Sequence, residues 1–209
     1  MSQADTVTRI LDSAEELFAE KGFAETSLRM ITTRAKVNLA AVNYHFGSKK
    51  DLIQAVFARF LSPFCSKLDK ELTVMAAAVP EPSLHDVLDV LARTMLTGVH
   101  STVGTRKLSV FMRLLGLAYT QAQGHLRRFL KEHYHQTYSR FILYLRAAHP
   151  ELSPREIFWR IHFAIGACVF TMSSIEVLRD MSMADTGEDS GVEDVMNQLI
   201  PFLAAALER

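Results

Sequence analysis

The run Thr26-Ser-Leu-Arg-Met-Ile-Thr-Thr-Arg-Ala-Lys-Val-Asn-Leu-Ala-Ala-Val-Asn-Tyr-His-Phe-Gly-Ser-Lys-Lys-Asp-Leu52 decides how this chain is read, because it places two short helical patterns around a tight turn and ends in a basic corner. Between Ser27 and Lys50 the formal charges are Arg29, Arg34, Lys36, Lys49 and Lys50, with no acidic residue among them. The segment before it carries Asp12, Glu15, Glu16, Glu20 and Glu25 instead. The formal net charge of the whole chain is zero, so the asymmetry is local. Clustered positive charge is enough to bind phosphates, since neutralising them releases condensed counterions. Double-stranded DNA is therefore the first partner to weigh. A charge run alone also describes a solvated helix face; the spacing of its neighbours is what favours DNA.

Val7, Ile10, Leu11, Ala14, Leu17, Phe18 and Ala19 recur mostly at three- and four-residue steps, the period of a helix burying one stripe. Gly22, just past the last apolar repeat, reads as its stop. Thr26 and Ser27 offer hydroxyls to cap a second helix, in which Leu28, Ile31 and Ala35 face inward. Asn38 caps a short third helix through roughly Phe46. There Val42 and Phe46, one turn apart, anchor the core, and Ala40 and Ala41 allow close approach to a groove. Ser48 to Asp51 resembles a capping box opening a fourth helix, whose first turn carries Lys49 and Lys50.

Together Gly22-Phe23, Thr26-Ser27, Ile31, Ala35, Val37, Tyr44-His45-Phe46 and Ser48-Lys49 resemble the N-terminal domain of TetR-family transcriptional regulators. The resemblance covers about the first quarter of the chain, and its anchors, caps and spacings agree as a set. Lys36 stands where many members have glycine, and Val42-Asn43 where a Leu-Tyr pair is frequent. The resemblance implies that Arg29 reaches a base edge from the second helix, where a guanidinium grips guanine O6 and N7 together. It also implies that Leu39, Ala40, Ala41 and Asn43 face the major groove, and that Thr26, Ser27, Tyr44 and Lys49 clamp the DNA backbone. His45, beside Phe46, reads as structural.

At 209 residues and 49% hydrophobic, the chain exceeds what a three-helix DNA-binding unit needs. The division expected is residues 1–47 for DNA binding and 48–209 for ligand binding and dimerisation. No stretch approaches the roughly 20 apolar residues of a membrane span. The nearest, Ile161 to Ile175, holds His162, Thr171, Ser173 and Ser174. The N-terminus lacks an apolar signal-peptide core, which points to a cytoplasmic address. Cys65 and Cys168 have no metal-ligand spacing and read as buried thiols. His125, His133 and His135 read as solvated or core residues rather than a zinc site, and no metal or cofactor is expected. Neither a Gly-rich phosphate loop nor a nucleophile motif is present, so the chain is not expected to be an enzyme.

Beyond Leu52 the pattern stays helical, with breaks expected at Pro63, Pro80 to Pro82, Ser101 to Thr105, Gln123-Gly124, Pro150 to Pro154 and Asp185 to Gly191. No long run alternates with period two, and the fold class expected is all-α. Helices over about Arg106–Tyr119 and Leu126–Ala148 concentrate the aromatic and methionine side chains an apolar cavity needs. Phe111, Met112, Leu115, Tyr119 and Tyr138, with His162, are the candidate ligand-binding residues, although ordinary core explains each singly. From Pro154 to roughly Met181 one helix is apolar nearly all round, so it must be covered on every side. With an amphipathic helix over Val192–Leu207 and a flexible-looking loop Met183–Gly191 between them, this is the expected homodimer surface. TetR-family proteins likewise pair through their last two helices.

The function expected is a ligand-responsive transcriptional regulator, most simply a repressor, with the helix from Ser48 as the lever between domains. The runs Gly22–Leu28 and Val37–Leu52, with Leu61-Ser-Pro-Phe64, resemble the PsrA-type regulators, which implies a long-chain fatty acid or acyl-CoA effector. Three alternatives stay open: another hydrophobic effector, such as one for an efflux system; a helical enzyme with an appended DNA-binding domain, using His133, His162 or Arg160; and a nonspecific nucleoid-associated protein.

Overall fold

A computed structural model describes residues 3–96, 102–121 and 123–208. Ten α-helices and no strand lie among them: α1 (Gln3–Glu25), α2 (Leu28–Ala35), α3 (Leu39–Phe46), α4 (Lys49–Ala78), α5 (Leu84–Leu96), α6 (Thr102–Thr120), α7 (Gly124–Ala148), α8 (Pro154–Ser173), α9 (Ile175–Thr186) and α10 (Val192–Glu208). The all-α expectation holds. The caps fall where side-chain chemistry puts them. Ser27 Oγ accepts from Met30 N–H at 3.2 Å and Asn38 Oδ1 from Ala41 N–H at 2.8 Å. Ser48 Oγ accepts from Asp51 N–H at 3.2 Å and donates to its carboxylate at 2.6 Å. Pro154 opens α8 inside a full capping box between Ser153 and Glu156.

Three boundaries differ from the sequence expectation. Pro63 lies inside the 30-residue α4 rather than breaking it. The ring removes one helical bond, but Pro63 is exposed, while Phe57 before it and Leu68 and Leu72 after it are locked in core and carry the helix through. The apolar helix expected to run to Met181 is divided instead at Ser174 (φ −114°, ψ 16°) into α8 and α9, whose axes bend by 75°. Polar groups end it: Ser173 Oγ donates back to Phe170 O at 3.3 Å, and Arg113 donates to Ser173 O at 3.1 Å. The loop before α10 is shorter than expected, because α9 continues to Thr186 and closes on Gly187. Residue 101 of the expected 101–105 break lies outside the described residues, and α6 begins at Thr102.

The first core joins Ile10, Ala14, Phe18 and Phe23 of α1, Ile31 of α2 and Val42 of α3 to Leu52, Val56 and Phe57 of α4. Leu114 of α6 and Leu126 of α7 complete it. The three N-terminal helices therefore do not close their own core. Phe18, Phe23 and Phe57 are each at most 1% exposed, and truncating one to alanine is worth about 3–5 kcal/mol. A second core lies between α4, α5, α7 and α8, and a third, built on Met112, Met172 and Met196, joins α6, α8 and α10. No single helix among the described residues is long and apolar enough to cross a membrane.

Arg59 ties α4 to α1, contacting Asp12 at 2.6 Å and Glu15 at 2.9 Å. Burial raises the Glu15 carboxyl above its usual range, and Arg59 opposes that rise. Removing the guanidinium takes away the largest effect opposing desolvation, so the folded-state pKa of Glu15 climbs further. A raised value stabilises the fold at low pH and loses that contribution as pH rises through it. Arg59→Met should therefore cost about 1–3 kcal/mol at pH 7 and clearly less at pH 4, read by urea unfolding at both values.

Candidate nucleic-acid interface and apolar core

The second and third helices turn one face inward and one outward. Ile31 and Val42 are fully buried, whereas Ser27, Arg29, Leu39, Ala40, Asn43 and Tyr44 are exposed and Ala41 is half-buried. Tyr44 is 77% exposed. Its ring meets His45 edge-on at 5.0 Å, and His45 meets Phe46 at 6.3 Å, so His45 is packed between its neighbours.

Between the two helices Lys36 adopts the left-handed conformation (φ 52°, ψ 47°) that usually asks for glycine. This arrangement costs roughly 1–2 kcal/mol for a residue with a Cβ. The compensation comes from α1: the Arg9 guanidinium donates to the carbonyl of Ala35 and to that of Lys36, the latter at 3.1 Å. Sequence reading missed Arg9, because its partners lie 26 and 27 residues away and no local spacing signals them.

Two expectations change here. Thr26 is fully buried, with its hydroxyl 3.0 Å from Leu17 O and 2.8 Å from Gly22 O. It braces the corner between α1 and α2, and its side chain is not on the surface where a phosphate clamp belongs. Arg34, counted in the basic stretch, faces Glu20 at 3.2 Å and Glu16 at 3.6 Å. Its charge is spent on the acidic face of α1. Lys49 donates to Ala24 O at 3.2 Å, and desolvation lowers its ammonium from the usual value against the pull of Glu25.

The six candidate effector residues fall into two groups. Phe111 stacks on Phe60 at 4.9 Å and meets Phe57 edge-on at 6.0 Å. Met112 is buried with Met172 and Met196, and half-buried Leu115 joins the same cluster. Tyr119 and Tyr138 are instead 57% and 51% exposed. Tyr119 meets His162 edge-on at 6.0 Å, and His162 packs 4.0 Å from Phe158. Loss of solvation, then the nearby Tyr138, raises the Tyr119 phenol. A cleft of about 10 Å³ between Leu84, Leu145, His149 and Ile161 includes none of the six. It has room for about one water.

The last helices expose a large apolar face. Phe158, Trp159, Phe163 and Phe170 of α8 and Phe202 of α10 are 49–66% exposed, and Trp159 stacks on Phe163 at 5.9 Å. Large apolar side chains this exposed make the last helices a candidate interaction surface. Both cysteines are free thiols, pushed up to about 11 by burial. Among the described residues no group of three or more His, Cys, Asp or Glu is placed to hold a metal ion.

Residues 10–56 match the family described as bacterial regulatory proteins, tetR family, and residues 99–206 match the tetracyclin repressor-like C-terminal domain. The chain belongs to the TetR family. It is 41% identical over 95 residues to the HTH-type transcriptional repressor Rv3405c of Mycobacterium tuberculosis, covering 45% of this chain and 48% of that protein. The match thus spans about half the length of that relative. The fold resembles that of a TetR-like transcriptional regulator from Rhodococcus sp. RHA1 (TM-score 0.61, 18% identity, 100% of this chain and 97% of that one). It also resembles the fatty acid degradation regulator FadR from Bacillus halodurans (TM-score 0.59, 16% identity, 96% of each).

In this TetR-family chain the Lys36 turn offers a direct test of local strain. Lys36→Gly removes the left-handed penalty and should raise stability by about 0.5–1 kcal/mol, measured by urea unfolding, whereas Arg9→Ala should lower it.

Proposed function

We propose that the protein is a ligand-responsive, DNA-binding transcriptional regulator, a homodimer that represses fatty-acid metabolism genes and is released by a long-chain fatty acid or its CoA thioester. The observation that carries this reading is the two-sided α3. Its inner face is fixed by the fully buried Val42, and its outer face presents Leu39, Ala40, Asn43 and Tyr44 beside Ser27 and Arg29. In this reading Arg29 grips a guanine edge, Asn43 pairs with adenine or a phosphate, and Ala40 and Ala41 meet thymine methyls. Ser27, Tyr44 and Lys49 position the DNA backbone. Residues 1–47 form the reading unit, with the effector region beyond it.

One short helix reads few base pairs, so discrimination needs two half-sites. The aromatic face of α8 and α10 is the surface we assign to the partner copy. Phe163→Glu should convert a dimer to monomers in sedimentation analysis and reduce operator affinity at least tenfold; an unchanged dimer would move the interface elsewhere.

The effector enters between α6, α7 and α8. Phe111, Met112 and Leu115 form the apolar wall, and Tyr119, Tyr138 and His162 the polar mouth. Methionine side chains repack readily, which suits an acyl chain entering a closed interior. A ligand shifts the balance only by its differential affinity for the two states, and about 1–3 kcal/mol of coupling changes DNA affinity roughly 5- to 150-fold. The ring cluster Tyr119, Phe158 and His162 favours a second reading, a flat aromatic effector of another pathway.

Titrating the protein against a duplex it has enriched from a randomised pool, with oleoyl-CoA, oleate or an unrelated aromatic drug, separates the two. Weakening by the acyl compounds alone supports the first reading, and weakening by the drug alone the second. On that duplex Arg29→Ala should relax preference at one base position at a cost of about 1–3 kcal/mol, while Lys49→Ala should weaken all duplexes similarly and flatten the salt dependence.

A further inference from the structure

Helix α6 packs against α1 on one side and α8 on the other. On the α8 side Gly116 permits the approach, since a Cβ there would lie 3.0 Å from a methyl of Val169. On the α1 side Leu114 is fully buried in the core of the reading unit. The chain then leaves α6 at Gln121, whose N–H still bonds to Leu117 O at 2.8 Å.

The Gln121 side chain reaches the corner between α1 and α2. Its Oε1 accepts a hydrogen bond from Phe23 N–H at 3.2 Å, across 98 residues of sequence. Its Nε2 lies 2.8 Å from where a Cβ on Gly22 would stand. Gly22 therefore does two things at once. Its positive φ of 83° kinks the helical path within α1, and its missing side chain leaves room for the carboxamide. The same short corner holds the Thr26 hydroxyl on Gly22 O. Ser27 and Arg29 follow directly, so whatever fixes this corner fixes the face offered to DNA.

We infer that Gln121 is a positioning residue for the reading unit: its hydrogen bond to the Phe23 amide ties the α1–α2 corner to α6, the helix that carries Phe111, Met112, Leu115 and Tyr119. This inference rests on the DNA-binding reading above. It adds a polar connection to those made by the continuous α4 and by the packing of Leu114 and Leu126. Tyr119 is two residues from Gln121, so a ligand that displaces the Tyr119 turn acts on the latch directly.

The test compares the full-length wild type with Gln121→Leu, which cannot accept the bond, and Gln121→Glu, which retains an acceptor oxygen. Each is titrated at fixed salt with the enriched duplex and with a scrambled duplex of equal length, and amide exchange at Phe23 is followed without DNA. The expected result is a Phe23 amide that exchanges faster in Gln121→Leu. That variant should bind the enriched duplex about tenfold more weakly and the scrambled duplex as before, while Gln121→Glu stays near wild type on all three measures. Discrimination that survives Gln121→Leu, or an equal loss on both duplexes, overturns the inference. A wild type that does not discriminate the two duplexes instead overturns the DNA-binding reading beneath it.

Discussion

The reading unit cannot be closed by its own residues, and that constraint shapes the rest of the molecule. Phe18, Phe23, Ile31 and Val42 need Leu52, Val56 and Phe57 of α4 above them, and Leu114 and Leu126 of α6 and α7 beside them, before they are out of water. Close packing makes this junction stiff, so a displacement of α6 or α4 is passed on rather than absorbed. Polar contacts then set direction: Arg59 draws α4 to the acidic side of α1, Arg34 folds α2 onto Glu16 and Glu20, and Gln121 holds the corner at Phe23. The acidic residues of α1 are thus internal partners for cations. The positive charge left outward at the turn and α3 end belongs to Arg29, Lys36 and Lys50, which make no ion pair among the described residues.

Local chemistry made much of this legible in the sequence. Ser27, Asn38, Ser48 and Ser153 cap helices because the groups they satisfy lie within three residues, and the apolar spacing of α1 places Ile10, Ala14 and Phe18 in the core. What stayed hidden depends on partners far along the chain. Thr26 looked like a surface hydroxyl until the Gly22 corner turned it onto Leu17 O. Lys36 looked unsuited to its turn because Arg9 supplies the support from α1. Pro63 looked like a break because propensity does not register how firmly the flanking turns are packed, and Ser174 looked helical because Arg113 arrives from α6.

The proposed effector region was less legible for a physical reason. Aromatic and methionine residues at helical spacing serve equally as core and as cavity wall, and only the chain's path separates Phe111, Met112 and Leu115 inside from Tyr119, Tyr138 and His162 at the surface. That arrangement fits an apolar body entering past a polar mouth. The methionine-rich cluster around Met172 and Met196 joins Met112 and Leu115 to α8 and α10, so an effector held as proposed would lie against the helices that carry the exposed aromatic face.

The central claim is that two copies of α3, held by one apolar interface, read DNA as a pair. Sequencing the duplexes that the purified protein enriches from a randomised pool tests it most directly. The account predicts a two-fold symmetric motif whose half-sites lie about 10 base pairs apart, centre to centre, or a multiple of that spacing. Enrichment of a single unpaired half-site, or of no motif at all, would contradict it.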